Sequence, residues 1–192
     1  MINLSLVDIE TYNSTDYITS SAGNIFHVTA EVKDPSNVEL PGGKCILKEN
    51  VLIRGDLSSI MINAYTIIEI NTELKPSYID KKKEEDDDDD ELKYIPLTIG
   101  KYSYIGKDCI IESACIGVGC YIGNNCNLSK RSILKDYVYV KDNTLIPPDM
   151  VIPPFSIVEG VPAKIIGEQP PFTPKAVEQM AFSRYNMFRK ES

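Results

Sequence analysis

An aliphatic residue returns every six positions through the second half of this 192-residue sequence. The register runs from Ile99 to Val158, with a single five-residue step between Ile111 and Ile116. The positions are Ile99, Ile105, Ile111, Ile116, Ile122, Leu128, Leu134, Val140, Ile146, Ile152 and Val158. A period of six matches neither the 3.6 residues of a helical turn nor the alternation of a two-faced strand. It is typical of a parallel β-helix built from hexapeptides, in which three hexads form one triangular coil.

A second position of the repeat is also regular, because the fourth residue after each aliphatic one is mostly small or carries a thiol. These residues are Ser103, Cys109, Cys115, Cys120, Cys126, Ser132, Val138, Thr144, Met150 and Ser156. We expect them to point inward near a corner of the coil. The same period occurs earlier, at Leu40, Ile46, Leu52, Ile62, Ile68 and Leu74. Gly100, Gly106, Gly117 and Gly123 follow inward isoleucines, where a missing Cβ would let the chain turn tightly.

The handedness of the solenoid does not follow from the period. Parallel crossovers are right-handed as a general rule, but the Ile-Gly type of hexapeptide resembles the left-handed β-helix class, a known exception. We therefore predict an all-β solenoid, a left-handed parallel β-helix of hexapeptide repeats with a C-terminal α-helix.

An acidic segment interrupts the repeat between residues 75 and 97, where eight consecutive acidic residues run from Glu84 to Glu91. Such a run repels itself and cannot bury apolar area, which predicts a disordered loop over about 78–93. We expect the flanking Tyr78, Ile79, Tyr94 and Ile95 to be ordered. A solvated insertion is the favoured interpretation, and an acidic patch that binds a partner is the alternative.

The C-terminal segment changes period from six to helical spacing. Its apolar residues are Val177, Met180, Ala181, Tyr185 and Phe188. This pattern predicts a helix over about 174–190 that packs on a coil face or caps the end of the solenoid. The predicted organisation is an N-terminal leader over 1–23, the β-helix over 24–166 and a C-terminal extension over 167–192.

The amino-acid composition limits which binding partners and which cellular compartment we expect. The net charge of −8 argues against nucleic-acid binding, which needs clustered Lys and Arg. We see no secretory signal in the first residues and no apolar stretch near the roughly 20 residues of a membrane helix. The five cysteines are odd in number and lack the spacing of a secreted disulfide framework. We predict a cytosolic protein with reduced thiols.

The cysteines of the segment 116–128 invite interpretation as a metal or redox site. Cys120 and Cys126 lie one hexad apart, which places them on adjacent faces of one coil. Cys109 and Cys126 share a face and should stack on neighbouring coils, about 4.8 Å apart. That distance is within disulfide range, but the reducing compartment predicts free thiols. We interpret these cysteines as structural residues that line the interior of the coil, and we predict neither a metal site nor a cofactor.

Two enzyme groups share this kind of repeat, and each needs histidine. The Arg-Gly-Asp stretch near residue 54 and the segment "GVPAKIIG" (160–167) resemble the γ-class carbonic anhydrases. Their zinc needs three imidazoles and an open water position, whereas this sequence contains one histidine, His27. Acyl-CoA-dependent acyltransferases are similar in repeat, but they use a coil-mounted histidine as general base. His27 precedes the clear repeats, so we predict no catalytic residue and no enzyme activity.

Arg54 and Asp56 remain as candidate site residues. In an enzyme the pair would orient groups around a metal. Without the zinc ligands, we interpret it as an ion pair that organises a structural corner or a subunit interface.

Four stretches carry a closer resemblance. They are "YNSTDYITSSAGN" (12–24), "VLIRGDLSSI" (51–60), "PLTIGKYSYIGKDCIIESACIGVGCYIGNNC" (96–126) and "LIPPDMVIPPFSIVEG" (145–160), the last with double prolines one hexad apart. Together they resemble the dynactin subunit 5 family, β-helical subunits of the dynactin pointed-end complex. The acidic insertion and the ending "EGVPAKIIGE" depart from the family's pattern.

The resemblance implies a non-catalytic structural and interaction subunit that supports dynein-driven transport along microtubules. The implied partners are dynactin subunit 6 as a paired β-helix, dynactin subunit 4, the pointed-end actin-related protein and coiled-coil cargo adaptors. The implied location is the cytoplasm, at the microtubule-associated cytoskeleton, without membrane insertion. The alternatives are a hexapeptide-repeat enzyme, of the carbonic anhydrase or acyltransferase type, and a free-standing β-helix adaptor.

Overall fold

The computed structural model describes residues 10–79 and 92–190 of the chain. The predicted disordered loop lies mostly outside these residues, including the whole run from Glu84 to Glu91. Its two flanks are described, and they pair as an antiparallel hairpin in which Tyr78 faces Tyr94 and Ile79 faces Lys93. Tyr78, Ile79 and Tyr94, three of the four flanking residues that we expected to be ordered, therefore lie in a short sheet at the base of the insertion, and Ile95 follows it.

The described elements are short strands with one helix near the C-terminus. In chain order the elements are β1 (Glu10–Tyr12), β2 (Tyr17–Thr19), β3 (Ile25–His27), β4 (Glu31–Lys33), a 3₁₀ turn (Pro35–Asn37), β5 (Val38–Glu39), β6 (Ile46–Leu47), β7 (Leu52–Arg54), β8 (Ile60–Ile62), β9 (Ile67–Ile68), β10 (Glu73–Leu74), β11 (Tyr78–Ile79), β12 (Lys93–Tyr94), β13 (Leu97–Ile99), β14 (Tyr104–Ile105), β15 (Ile110–Ile111), β16 (Cys115–Ile116), β17 (Tyr121–Ile122), β18 (Asn127–Leu128), β19 (Ile133–Leu134), β20 (Tyr139–Val140), β21 (Leu145–Ile146), β22 (Val151–Ile152), β23 (Ser156–Glu159), β24 (Lys164–Glu168), α1 (Thr173–Met187) and β25 (Phe188–Lys190).

Three sheets form the sides of a triangular prism of about six turns, and their strands pair in parallel except for β2 with β3 and β23 with β24. The covered face is the nine-stranded sheet β2-β3-β6-β9-β14-β17-β20-β23-β24, on which the chain's own termini pack. The charged face is β4-β7-β10-β15-β18-β21, and the open face is β5-β8-β13-β16-β19-β22. This architecture confirms the predicted left-handed parallel β-helix of hexapeptide repeats with a C-terminal helix.

The core is a set of aliphatic columns, one inside each face. On the covered face, Ile105 lies between Ile68 and Ile122 in the neighbouring coils, and all three are fully buried. The same stacking occurs on the other two faces, so the inner coils each bury three aliphatic side chains against the coils above and below. Burying such a side chain contributes roughly 1.5–3 kcal/mol, which explains why the six-residue period dominates the sequence.

Strands β6 and β7 use a register one residue later than predicted. In β6 the inward residue is Leu47, which stacks on Ile68, and in β7 it is Ile53, which stacks on Leu74. The predicted inward residues Ile46 and Leu52 point outward instead. Because each of these strands contains two adjacent aliphatic residues, the period alone could not select between them, and a one-residue shift exchanges the two faces of a strand.

Cys115 is also not an inward residue. The five-residue step removes one position from this hexad, so Ser113 takes the buried place and bonds Ser132 at 2.8 Å. Cys115 falls on strand β16 beside the inward Ile116, and alternation along the strand turns its side chain outward.

The corners turn at residues other than the predicted glycines. Left-handed backbone occurs at Asn, Asp, Tyr and other side-chain-bearing residues, such as Asn71 with φ 58° and Tyr102 with φ 64°. Gly100 is needed for a different reason, because a Cβ there would lie 2.5 Å from the backbone of Gly117 in the next coil. Glycine at this place lets successive coils approach closely.

The first and last described strands meet outside the covered face. Strand β1 pairs in parallel with β25, the strand that directly follows α1. Helix α1 lies against the tyrosines of the covered face and buries Val177, Met180 and Ala181. None of the helices in the described residues is long and apolar enough to cross a membrane.

Candidate interaction surfaces

His27, the single histidine, makes a hydrogen bond through one ring nitrogen. It ends strand β3, where its Nδ1 accepts a hydrogen bond from the backbone N–H of Thr29 at 3.1 Å. Its Nε2 lies 3.9 Å from Glu49, and its ring packs edge-on against Tyr17. Among the described residues, no group of three or more His, Cys, Asp or Glu side chains is arranged to hold a metal ion.

Arg54 and Asp56 form a two-pronged ion pair at the end of strand β7. Nε and Nη2 of Arg54 each donate a hydrogen bond of 2.9 Å to the Asp56 carboxylate. This contact raises the pKa of Arg54 and lowers that of Asp56. Gly55 between them packs on the first coil, where its carbonyl accepts a bond from Asn37 at 3.1 Å. The pair thus lies at a corner between two coils, on the outer surface.

The five cysteines are all free. Cys109 and Cys126 occupy equivalent positions on neighbouring coils, since the strands that follow them pair Ile110 with Asn127. Cys126 and Cys120 precede strands of different faces, as predicted. Burial raises the pKa of Cys45 to about 11 and that of Cys120 to about 12, so neither thiol is activated. Cys115 alone among the five is not buried.

Aromatic side chains bind helix α1 to the covered face. Tyr104 and Tyr121 stack with ring centroids 4.9 Å apart, and the Arg184 guanidinium lies 4.4 Å from the Tyr104 centroid. Phe182 packs edge-on against Tyr65 at 4.5 Å. These contacts combine apolar burial with cation–π attraction. The helix therefore has a dedicated binding surface within its own chain.

A buried ion network, which the sequence did not predict, lies under the paired termini. The Lys48 ammonium is 2.7 Å from Glu10 of strand β1 and 2.8 Å from Glu69. The side chains of Lys48 and Glu69 are 7% and 6% exposed. Burial lowers the pKa of Lys48, but the two carboxylates outweigh it and the net pKa is raised. The sequence gives no signal for this network, because its members are far apart in the chain.

The charged face carries ion pairs across its outer surface. Lys75 bonds Glu112 at 3.1 Å, and Lys33 lies 3.9 Å from Glu31. Its one prominent exposed apolar side chain is Ile110, at 43% exposure. The outward row of this face alternates polar and aliphatic residues, in the order Glu31, Leu52, Glu73, Ile110, Asn127 and Leu145.

The open face carries an uncharged row instead. Its outward residues follow one another across successive strands as Glu39, Met61, Thr98, Cys115, Ile133 and Val151. Met61 and Val151 are 38% and 52% exposed. The row is charged only at its Glu39 end. The sequence did not predict this row, because the six-residue pattern of inward residues says nothing about the outward residue that precedes each of them.

Comparison with known proteins identifies the family. The family model described as Dynactin subunit 5 matches residues 5–190. The chain belongs to the dynactin subunit 5 family. A curated relative, Dynactin subunit 5 of Dictyostelium discoideum, is 37% identical over 99 residues. Those residues cover 52% of this chain and 46% of the relative, so this member of the dynactin subunit 5 family matches about half of that protein's length.

Solved structures with a similar fold include transferases. A hexapeptide transferase family protein from Anaplasma phagocytophilum superposes with a TM-score of 0.61 and 16% identity, covering 84% of this chain and 89% of that one. An N-acyltransferase from Bacillus cereus, solved with dTDP and 3-hydroxybutyryl-CoA, gives 0.61 and 11% identity, covering 85% and 88%. At 16% and 11% identity, these two proteins show only that the chain shares their fold.

Proposed function

We propose that this protein is a non-catalytic structural and interaction subunit of the dynactin pointed-end complex, supporting dynein-driven transport along microtubules. Family membership over residues 5–190 carries the proposal. A rigid β-helix suits the role, because its faces present long surfaces without an ordering cost on binding. On this proposal the leader 1–23, the β-helix 24–166 and the extension 167–192 serve one assembly.

The proposed partners are dynactin subunit 6 as a paired β-helix, dynactin subunit 4, the pointed-end actin-related protein and coiled-coil cargo adaptors. The proposed location is the cytoplasm, on the microtubule-associated cytoskeleton. The Arg54–Asp56 pair is proposed to hold a structural corner, and the packing of Gly55, which lies between the two residues, on the first coil supports this role.

The absence of catalysis is supported by the surroundings of His27. A general base needs a nitrogen that is free to accept a proton from the acceptor substrate. Nδ1 of His27 already accepts from Thr29, and Nε2 faces Glu49. The ring therefore has a structural role at the first coil.

Affinity purification of the tagged full chain from its own cells tests the proposal. We expect the other dynactin subunits to co-purify in stoichiometric amount, and a native mass measurement to report the large assembly. A monodisperse homotrimer without dynactin subunits would contradict the proposal. Acyl transfer from acetyl-CoA that is lost in His27→Ala would favour the enzyme alternative, and a monomer free of dynactin would favour a free-standing adaptor.

A further inference from the structure

We infer that two prolines close the last coil of the solenoid against a second copy of this chain, which would otherwise stack on it head to tail. The inference is independent of the proposed function, because it concerns only the backbone bonds that join one coil to the next. It rests on Pro147 and Pro153, each the first residue of a double proline.

One hexad position carries a backbone bond from each coil to the next. It is the residue directly after the inward aliphatic one, and its N–H donates to the carbonyl of the inward residue in the following coil. On the charged face, Ser129 donates in this way to Ile146 at 3.0 Å. On the open face, Lys135 donates to Ile152 at 3.0 Å. Further donors at this position are Lys75 and Glu112 on the charged face, and Asn63, Gly100 and Gly117 on the open face.

The last coil has proline at this position on both of these faces. Pro147 follows the inward Ile146, and Pro153 follows the inward Ile152. Proline has no N–H, so neither residue can donate the bond that would join a further coil. Strands β21 and β22 are end strands of their sheets, and sheets tolerate proline at such edges. The missing donors therefore lie on the outer side of the last coil.

The covered face provides an internal comparison, because its last coil has no proline at this position. The residue after the inward Val158 is Glu159, and strand β24 pairs on its outer side with Lys164 opposite Glu159. Proline therefore occurs on the two faces whose sheets end at the last coil. It is replaced by an ordinary residue where the chain itself adds another strand.

The two edges that carry proline differ in how far the chain covers them. On β21, the N–H of Leu145 donates to Gly160 at 3.0 Å, and the carbonyl of Leu145 accepts from Ala163 at 2.8 Å. In the part of the chain that the structure describes, no strand pairs on the outer side of β22. The open face therefore depends more on its proline than the charged face does.

The partner that these prolines exclude is a second copy of this chain. The sheets that end in β21 and β22 begin in β4 and β5, which are their end strands at the first coil. Because the N–H groups at this position point to the following coil, the first coil of a second copy would supply matching carbonyls. Unpaired strand edges are templates for such pairing. A head-to-tail contact of this kind does not close, so it would extend into a filament.

Restoring the two donors tests the inference. The full chain carrying Pro147→Ser and Pro153→Asn, the donor variant, receives the residue types that Ser129 and Asn63 provide at this position in earlier coils. Its mass is measured by sedimentation velocity in about 0.5 M salt, which screens the repulsion between copies of net charge −8. We expect the weight-average mass to rise at least twofold above that of wild type.

The matched control changes the second proline of each pair, with Pro148→Ala and Pro154→Ala. This hexad position donates to a side chain rather than to the backbone ladder, as Val118 does to Asp136 at 2.8 Å. We expect the control to keep the wild-type mass. An unchanged mass for the donor variant, or an equal rise in both variants, overturns the inference.

Single substitutions keep the test decisive if circular dichroism shows that the donor variant is unfolded. Pro153→Asn should raise the mass more than Pro147→Ser, because Gly160 and Ala163 already cover part of the edge of β21. The reverse order, or no rise for either folded single variant, contradicts the inference.

Hydrogen exchange of the wild-type chain needs no substitution. The amide of Ile133 donates to Met150 in the next coil at 2.9 Å, whereas Val151 holds the equivalent place in the last coil. We expect the Val151 amide to exchange at least tenfold faster than the Ile133 amide in wild type and to become protected in the associated donor variant. Equal protection in wild type overturns the inference, as does association that leaves the Val151 amide exchanging freely.

Discussion

The covered face and the open face are built from the same repeat, yet their outer surfaces differ in what they meet. On the covered face the outward residues are large, and Ile25, Ile46 and Ile67 are buried under the chain's own termini. On the open face the outward residues are smaller, and Met61 and Val151 reach solvent. The inward columns do not distinguish the two faces. The difference shows that one position of each hexad forms the core of the coil, whereas another position forms the outer surface that meets other segments.

The largest effect on the free energy of unfolding is expected at the buried ion network of the covered face. Lys48→Ala leaves the buried Glu69 carboxylate without its counter-charge, which should lower the free energy of unfolding by about 3–5 kcal/mol in urea denaturation. The double variant Lys48→Met with Glu69→Leu should recover most of this loss, because both charges are then absent. If the single and double variants are equally unstable, packing rather than charge explains the effect.

The same network predicts a dependence on alkaline pH. The pKa of Lys48 is higher in the folded state than its ordinary value of 10.5. Its contribution is therefore fully present below that value and is lost as the pH rises through the folded pKa. Between pH 7 and the alkaline range, wild type should lose more stability than the double variant, measured by thermal unfolding. Parallel pH curves for the two proteins would contradict this assignment.

Truncation of one outward residue on each face compares the two surfaces directly. Ile67→Ala removes a side chain buried under the covering segments and should cost about 2–5 kcal/mol. Val151→Ala removes a solvent-exposed side chain of the open face and should stay within about 0.5 kcal/mol of wild type. Urea unfolding of the isolated full chain measures both. Similar losses at the two positions would mean that the open face is covered in the isolated chain.

A glycine under helix α1 should show a smaller effect. Gly119 has φ 64°, and a Cβ there would lie 2.7 Å from Tyr137 and 3.0 Å from Val177. Gly119→Ala should therefore cost about 1–3 kcal/mol in thermal or urea unfolding. Gly167→Ala is the matched control, since its Cβ would meet only Ile157 at 3.8 Å. Equal stability of the two variants would show that the helix does not pack closely on this coil.

The smallest effect is expected at the surface pair of Arg54 and Asp56. Asp56→Asn should lower stability by at most about 1 kcal/mol, because water screens exposed ion pairs. The pKa of Asp56 is below its ordinary value of 3.8, so the contribution is present above that value and disappears as the pH falls through the folded pKa. Thermal unfolding at pH 7 and in acid should therefore show the difference at pH 7 alone. A loss of several kcal/mol would indicate a larger role for this corner.

The predictable part of this fold is the part that repeats. The inward places of the later strands were predicted correctly, because strands with one aliphatic residue, such as Tyr104–Ile105 and Tyr121–Ile122, fix the register for strands with two. Strands β6 and β7 were placed one residue off, since Ile46 and Leu47, like Leu52 and Ile53, are both aliphatic and only coil-to-coil stacking selects between them. Cys115 was misplaced for a related reason, because a five-residue step moves it from the corner to the strand.

The candidate surfaces were less predictable than the core. The Arg54–Asp56 contact follows from residues two positions apart, and the structure shows both of its hydrogen bonds. The network of Lys48 joins Glu10 to Glu69 across coils, and no local pattern marks it. The row of the open face likewise joins residues from six different strands.

The sequence by itself determined the coil architecture, because an aliphatic residue that is buried in each hexad recurs at a fixed spacing along the chain. It also determined that histidine is scarce, which limits the chemistry open to the coil. Tertiary structure decided which side of the prism the termini cover and which side they leave open. That choice depends on contacts between residues far apart in the chain, such as Tyr12 with Phe188, whose rings stack at 4.7 Å.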